Sequence, residues 1–339
     1  MAEKIRIAAD AMGGDNAPEE IVKGVIAAVN NMQDISVILV GRQKEIEACL
    51  KGQSYPGGSI SVFNAEDVIG MDEHPVESIR RKKDSSMVRA LQLVKNGEAD
   101  AFISAGNSGA VVVGGQGIIG RIRGVQRPPF ASMIPTKKGA MLLLDCGANV
   151  DARPEHLAQW AKLGTIYLQS VMGVKEPKVG IVNIGAEEEK GNSLVRETFP
   201  LLKEMGKKGE IHFAGSCEAR DIPYGTCDVA VCDGFTGNIL LKMYEGTGKM
   251  LLSEMKSAFY SSAKSKLGAL LVKSALKRSL GRFDTGKYGG APVLGLKSLV
   301  VKMHGSAKAA DVTRAIEQCV QFYKEDIASK ISSYLEKAD

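Results

Sequence analysis

The 339-residue sequence has no uncharged apolar run of about 18 residues, the length a bilayer-spanning helix requires. Its opening residues, MAEKIRIAAD, lack the basic-then-apolar pattern of a secretory leader. A cytoplasmic location is therefore expected. The six cysteines (Cys49, Cys146, Cys217, Cys227, Cys232 and Cys319) are dispersed, several within apolar runs, and none forms a CxxC pair. That pattern suits reduced core thiols and excludes a disulfide framework or a zinc knuckle. The four histidines, His74, His156, His212 and His304, lie far apart with no HExxH spacing, and no EF-hand loop occurs, so no metal is expected. Aromatic residues make up 5% of the chain, and within the basic segments only Phe259, Tyr260 and Phe283 occur. With no binding motif either, nucleic acid is not an expected partner. The absence of a G-x-S-x-G elbow argues against a covalent acyl-enzyme. Low-complexity linkers and internal repeats are also missing.

What remains is an ordinary globular composition, 44% hydrophobic and 24% charged with a net charge of +5. Short β-rich runs recur at 5–12, 35–41, 60–65, 99–106, 139–147, 178–185, 210–216, 227–234 and 298–305. Helix-length segments lie between most of them, at 17–31, 76–96, 154–172, 192–206 and 237–280, with a last one at 307–337. Strands alternating with helices predict an α/β protein of three α/β/α layers, its sheet mostly parallel and covered on both faces. RPPFASMIPTKKGAMLLL reads instead as a hairpin, which makes the sheet mixed. The expected organisation is a single domain over 1–339 with a helical appendage at 250–285.

In such sheets, ligands bind beyond the carboxyl ends of the strands. Four polar, glycine-rich turns are expected on that rim: DAMGGDNAP (10–18), SAGNSGA (104–110), LLLDCGANVD (142–151) and CDGFTGN (232–238). Gly13 and Gly14 allow close backbone approach, with Asp10 and Asp15 beside them. Asn107, Ser108 and Gly109 sit at the start of an apolar helix, where unpaired N–H groups and the helix dipole favour an anion. One such turn is an ordinary helix cap; several on one rim argue for a shared ligand. Asp145 and Asn149 occupy the third turn. In the fourth, Asp233 orients a group or acts as a base, or else caps a helix, and the residues alone leave both kinds of role open. Lys190, in NIGAEEEKGNSL, either contacts a phosphate or pairs with the neighbouring glutamates. GQGIIG (115–120) matches the dinucleotide fingerprint in letters only, because no acidic residue follows on a ribose-binding loop, so its glycines are assigned to helix packing. Cys146, with no histidine nearby in sequence, is read as a structural thiol.

Two basic features stand apart. Arg80, Arg81, Lys82 and Lys83 are consecutive; such a run is either a solvated helix face or a docking site for an acidic partner. Between Glu254 and Asp284 there are seven lysines and arginines and no acidic residue. There Lys266, Lys273 and Lys277 share one helical stripe, while Leu267, Leu270, Leu271, Val272, Leu276 and Leu280 cover the rest. An interfacial helix on an anionic membrane has this appearance, and so does a helix hairpin buried in a dimer.

DAMGGDNAP, RRKKDSSM, SAGNSGA, DCGANVDARPEHL, KGNSL, CDGFTGN, YGGAPVLGLK and HGS, in that order and across nearly the whole chain, resemble the PlsX family of bacterial phosphate acyltransferases. The resemblance implies transfer of a long-chain acyl group from acyl carrier protein to orthophosphate, giving acyl phosphate for phospholipid synthesis. It implies no cofactor, and a homodimer with a Rossmann-like fold akin to isocitrate and isopropylmalate dehydrogenases, held peripherally at the membrane. Two positions depart from the family pattern: Asn16 stands where a histidine is common, and Cys146 where a valine is. On this reading, Asn107, Ser108, Gly109 and Lys190 hold phosphate and Asp233 and Asn238 orient the thioester, while Asp10, Gly13, Gly14, Asp145, Asn149 and His304 line the same cleft. The rival readings are a nicotinamide-dependent decarboxylating dehydrogenase, for which the carboxylate cluster and substrate arginines are not seen, and a catalytically silent membrane scaffold, which leaves the polar turns without a purpose.

Overall fold

The computed structural model describes residues 4–280 and 289–336, with the side chains of Lys277, Arg278 and Leu280 excepted. Arg282 and Phe283 lie outside the described residues, as does the side-chain placement expected for Lys277. From the N-terminus the elements are β1 (Ile5–Asp10), α1 (Glu19–Asn31), β2 (Ile35–Gly41), α2 (Gln43–Leu50), β3 (Ile60–Asn64), α3 (Pro75–Arg81), α4 (Ser86–Lys95), β4 (Ala101–Ser104) and α5 (Ser108–Gly114). A π-helical turn over Gly115–Ile119 leads to β5 (Ala131–Thr136), β6 (Gly139–Leu144), α6 (Pro154–Val171), β7 (Lys178–Asn183), α7 (Ser193–Lys207), β8 (His212–Glu218), β9 (Val229–Val231), α8 (Gly234–Tyr260) and α9 (Ala263–Leu280). The chain continues through β10 (Ala291–Pro292), β11 (Leu299–Lys302), α10 (Ala309–Lys324) and α11 (Ile327–Glu336). Among the described residues no helix is long and apolar enough to cross a membrane.

Two compact units result, one of residues 1–132, 162–176 and 286–339 and the other of 133–161 and 177–285. The first contains a six-stranded sheet in the order β10-β11-β4-β1-β2-β3. It is parallel throughout except for the β10–β11 pair. β4 and β11 are buried along their whole length, as central parallel strands covered on both faces must be, which is why AFI (101–103) and LVV (299–301) within them are continuous apolar runs. α1 lies close against α10: a β-carbon at Gly24 would stand 2.5 Å from both the Ala309 carbonyl oxygen and Val312 Cβ.

The second unit contains a five-stranded sheet in the order β5-β6-β9-β7-β8. β6, β9, β7 and β8 pair in parallel. Only Lys137 and Lys138 separate β5 from β6, too short a link for a parallel crossover, so this edge pair is antiparallel as the hairpin pattern predicts.

The α/β class with mixed sheets is as expected; the strands, however, are shared between two sheets. Three long helical segments are also divided. The 76–96 segment breaks at 82–85, where Ser85 accepts from Val88 N at 3.4 Å and donates to the Lys82 carbonyl at 2.8 Å. Serine there caps a new helix instead of continuing the old one. The 237–280 segment begins earlier, at Gly234, and breaks at Ser261 and Ser262. The 307–337 segment turns at Asp326, whose φ of 47° no helix accommodates.

Candidate functional site

At the C-terminal edge of the first unit's sheet, Asp10 ends β1 with 2% of its surface exposed. Its carboxylate accepts from Ser86 Oγ at 2.6 Å, Ser104 Oγ at 2.7 Å and Met12 N at 3.2 Å. Burial pushes its pKa up, and these hydrogen bonds work against that shift. Ser104 Oγ in turn accepts from Gly106 N at 2.9 Å, so the buried carboxylate sets the turn that enters α5 through one hydroxyl.

The glycines of DAMGGDNAP are required by this crowding. A β-carbon at Gly13 would stand 2.5 Å from Asp10 Oδ2 and 2.8 Å from Gly106 N. Gly14, at φ +100°, would place one 2.8 Å from both Ala105 Cβ and the Gly305 carbonyl oxygen. Asp15 N donates to that same Gly305 oxygen at 2.8 Å, and Asn16 Nδ2 to the Ser306 and Ala307 carbonyls at 3.1 and 3.2 Å. Three turns, after β1, β4 and β11, therefore close into one backbone cradle. His304 stands at its edge, its Nδ1 lying 3.2 Å from Ser306 N and 2.8 Å from Ser306 Oγ.

Asn107 caps α5, its side-chain oxygen accepting from Ala110 N at 3.0 Å. Its amide nitrogen donates to the carbonyls of Met71 and Glu73, both at 3.0 Å. The side chain thus seats the 70–73 loop, and the next residue, Ser108, is exposed. Gly109 is close-packed, a β-carbon there standing 2.5 Å from Pro75 Cγ.

The second unit builds a separate arrangement at the exits of β6, β9 and β7. Asp145 is fully buried and accepts from Asn149 N at 2.6 Å, Asn149 Nδ2 at 3.0 Å and Ala148 N at 3.2 Å, which winds 145–149 into a tight turn. Asp233 caps α8, accepting from Thr236 N at 2.8 Å and Thr236 Oγ1 at 2.7 Å. Gly234 N donates to the Asn149 carbonyl at 2.7 Å. Gly234 and Gly237 face the β6 exit turn at distances no β-carbon tolerates. Asn238 is exposed, its Cγ 3.6 Å from where a β-carbon of Gly147 would stand. Asp145, Asn149, Asp233 and Asn238 are thus neighbours within this unit.

Lys190 follows β7 and is exposed; its carbonyl accepts from the buried Asn183 Nδ2 at 3.3 Å. The two cysteines of these turns are poor nucleophiles. Cys146 donates to the Leu143 carbonyl at 3.3 Å, and burial holds the Cys232 thiol far above the ordinary thiol range.

Of the four consecutive cations, Lys82 pairs with Glu73 at 2.5 Å and Arg81 with Glu77 at 2.7 Å; Arg80 and Lys83 are exposed. On α9, Leu267, Leu270, Leu271 and Val272 are exposed, as are Lys266 and Lys273. Lys266 Nζ lies 6.0 Å from the Tyr260 ring centroid.

Sequence reasoning missed four members of these arrangements: Ser86, Ser104, Asn183 and Lys302. The first three are small polar residues at element ends, a signal shared with every cap. Lys302 had a stronger one, a lysine inside the apolar run LVVKM, since buried lysine is rare without a specific partner.

Residues 5–330 match a family model described as fatty acid synthesis protein. A protein of Clostridium acetobutylicum named phosphate acyltransferase is 47% identical over 331 residues, 98% of this chain and 99% of its own. One of Clostridium novyi with the same name is 44% identical over 333 residues, again 98% and 99% of the two chains. Among solved structures, a phosphotransacetylase from Streptococcus pyogenes superposes with a TM-score of 0.62 at 18% identity, over 96% of this chain and 95% of that one, a likeness of fold.

Proposed function

The chain belongs to the fatty acid synthesis protein family, and from that premise we propose that it transfers a long-chain acyl group from the thioester of acyl carrier protein to orthophosphate. The observation that carries the reading is full-length similarity at 47% identity to a protein named for acyl transfer to phosphate. In the reaction, a phosphate oxygen attacks the thioester carbonyl carbon, the C–S bond of the tetrahedral intermediate breaks, and the carrier thiolate leaves and takes up a proton. Both products are accounted for without a covalent enzyme intermediate, consistent with a buried, protonated Cys232.

Phosphate is anionic near neutral pH and a thiolate is a good leaving group, so the protein's task is to position the reactants and stabilise the developing oxyanion. The cradle of Gly13, Gly14, Gly106 and Gly305, with Ser108 and the first amides of α5, has the chemistry of an oxyanion subsite. Lys190 is assigned to phosphate, and Asn238, beside the turn that Asp145 and Asp233 hold rigid, to the thioester carbonyl, each on the chemistry of its own turn.

Arg80 and Lys83 are assigned to the acidic carrier protein, and the exposed leucines of α9, with Lys266 and Lys273, to an anionic membrane surface. A homodimer belongs to the same reading. Its support is the exposed apolar row Phe235, Ile239 and Met243, four residues apart along α8.

The test is release of carrier thiol from a palmitoyl-carrier-protein thioester with and without phosphate. Phosphate-dependent release with stoichiometric acyl phosphate is expected; release independent of phosphate, or none, overturns the reading. Lys190→Ala and Asn238→Ala at wild-type rates would remove those two residues from it.

A further inference from the structure

β7 is buried from Val179 onward and carries no polar side chain there until its last residue. That residue, Asn183, is 6% exposed, and both polar atoms of its amide are used. Its Oδ1 accepts from Ile184 N at 2.8 Å, and its Nδ2 donates to Ser216 Oγ on β8 at 3.0 Å and to the Lys190 carbonyl at 3.3 Å. One side chain thus fastens both ends of the 184–190 loop and ties the loop to the neighbouring strand. Gly191 completes the closure: at φ +98°, a β-carbon there would stand 2.6 Å from Asn183 Oδ1.

The fastening ends on Lys190. Its N donates to the Glu187 carbonyl at 3.2 Å while its own carbonyl accepts from Asn183, so both of its backbone groups are held and only its side chain is left exposed. A plain connection needs no such anchor, because water satisfies the backbone of a surface loop. Three glutamates share this loop with the lysine. Glu188 pairs with Lys203, and Lys190 makes no ion pair among the described residues. Freed from its anchors, Lys190 would have Glu187 and Glu189 as competitors for any external anion.

We infer that Asn183 is a positioning residue for the phosphate substrate: it fixes the backbone of Lys190, so that the ammonium group meets the anion with only its own side chain left to order. This rests on the assignment of Lys190 to phosphate. Ordering a loop on binding costs affinity, and a loop already closed in the free protein removes the backbone part of that cost. Asn183, being buried, acts through Lys190.

The experiment is a double-mutant cycle on the KM for phosphate, with wild type, Asn183→Ala, Lys190→Ala and the double variant. Lys190→Ala should raise it about 10- to 100-fold, the weight of a charge-assisted hydrogen bond. Asn183→Ala should raise it about 3- to 10-fold, the cost of ordering what the amide had fixed, with the KM for the acyl thioester within about twofold of wild type. In the double variant the phosphate KM should match that of Lys190→Ala within about twofold, since an anchor has nothing to position once the ammonium is gone. A merely structural amide would act equally in both backgrounds. Additive KM effects therefore overturn the inference, as does an unchanged phosphate KM in Asn183→Ala or an equal rise in the thioester KM. Should Asn183→Ala not fold, Ser216→Ala, which removes one partner of the amide and leaves Asn183 in place, enters the cycle instead; it should raise the phosphate KM alone and be silent in the Lys190→Ala background. A wild-type phosphate KM in Lys190→Ala removes the Lys190 assignment and this inference with it, while acyl transfer itself stands. If wild type makes no acyl phosphate, the reaction assignment fails, and the thermal upshift that inorganic phosphate produces in the four proteins decides on Asn183 by the same cycle. With no upshift in wild type either, both fail.

Discussion

Gly237→Ala tests the seating of α8 on the β6 exit turn. The added β-carbon would overlap the Asp145 carbonyl oxygen and stand 3.0 Å from both Asp145 C and Cys232 Sγ. That carbonyl cannot swing aside, because Asp145 N donates to the Cys232 carbonyl at 3.0 Å and Cys232 N to the Leu144 carbonyl at 2.6 Å, which locks the β6 exit onto β9. Relief requires α8 to move outward as a body. Overpacking of this kind costs about 1–3 kcal/mol, toward the upper end where backbone must yield, and alanine's helix propensity returns about 1 kcal/mol, leaving a net loss near 2 kcal/mol. The same helix supplies its control: at Gly248 nothing lies within 4 Å of an added β-carbon. Gly248→Ala should therefore stabilise by up to about 1 kcal/mol, since only the propensity term acts. Urea unfolding of both variants, followed by circular dichroism, is the assay. A Gly237→Ala protein as stable as wild type would refute the close approach and, with it, the account of why CDGFTGN carries glycines three apart.

Other consequences are open to direct measurement. The Glu73 carboxyl is drawn down to about 2, first by Lys82, then by the Gly70 amide and the Ser78 hydroxyl. Because its folded value lies below the unfolded 4.5, the stability it contributes is complete above that pH and is lost as pH falls toward about 2. Lys82→Met should flatten this part of the acid unfolding curve, and an unaltered acid limb would contradict the assignment. Asp10 is shifted upward by burial, so it favours the folded state most when protonated, and that contribution disappears as pH rises through its folded value. Asp10→Asn should remove this decline from the pH–stability profile; a profile parallel to wild type would rule it out. Leu270→Glu, at a site 69% exposed, should leave the melting temperature unchanged and abolish sedimentation with phosphatidylglycerol vesicles, while undiminished co-sedimentation would exclude α9 from the contact.

Much of the local structure was legible because its causes are local. FISAGNSGA reads as strand, cap and helix since Phe102, Ile103 and Ala105, then an Asn cap, each follow short-range rules, and Asn107 does cap α5. CDGFTGN reads in the same way, and of the two roles left open for Asp233 the structure shows the cap. The division of 76–96 was available from KDSS, a capping signal outweighed by the helical pattern around it. Less visible was the use to which side chains are put: nothing in AGNSGA reveals that the amide nitrogen of Asn107 faces the 70–73 loop.

The sequence by itself determined the α/β class, the positions of the polar turns and the family, because hydrophobic periodicity, capping residues and glycine spacing are properties of neighbours along the chain. Tertiary structure alone decided that the strands divide between two sheets, that Asp10 is satisfied by Ser86 and Ser104, and that Lys302 is buried against the Ala105 and Met303 carbonyls. Those outcomes depend on which strand ends pair across tens or hundreds of intervening residues. Long-range pairing is chosen by the burial it achieves for the whole chain, a quantity that no short window of residues contains.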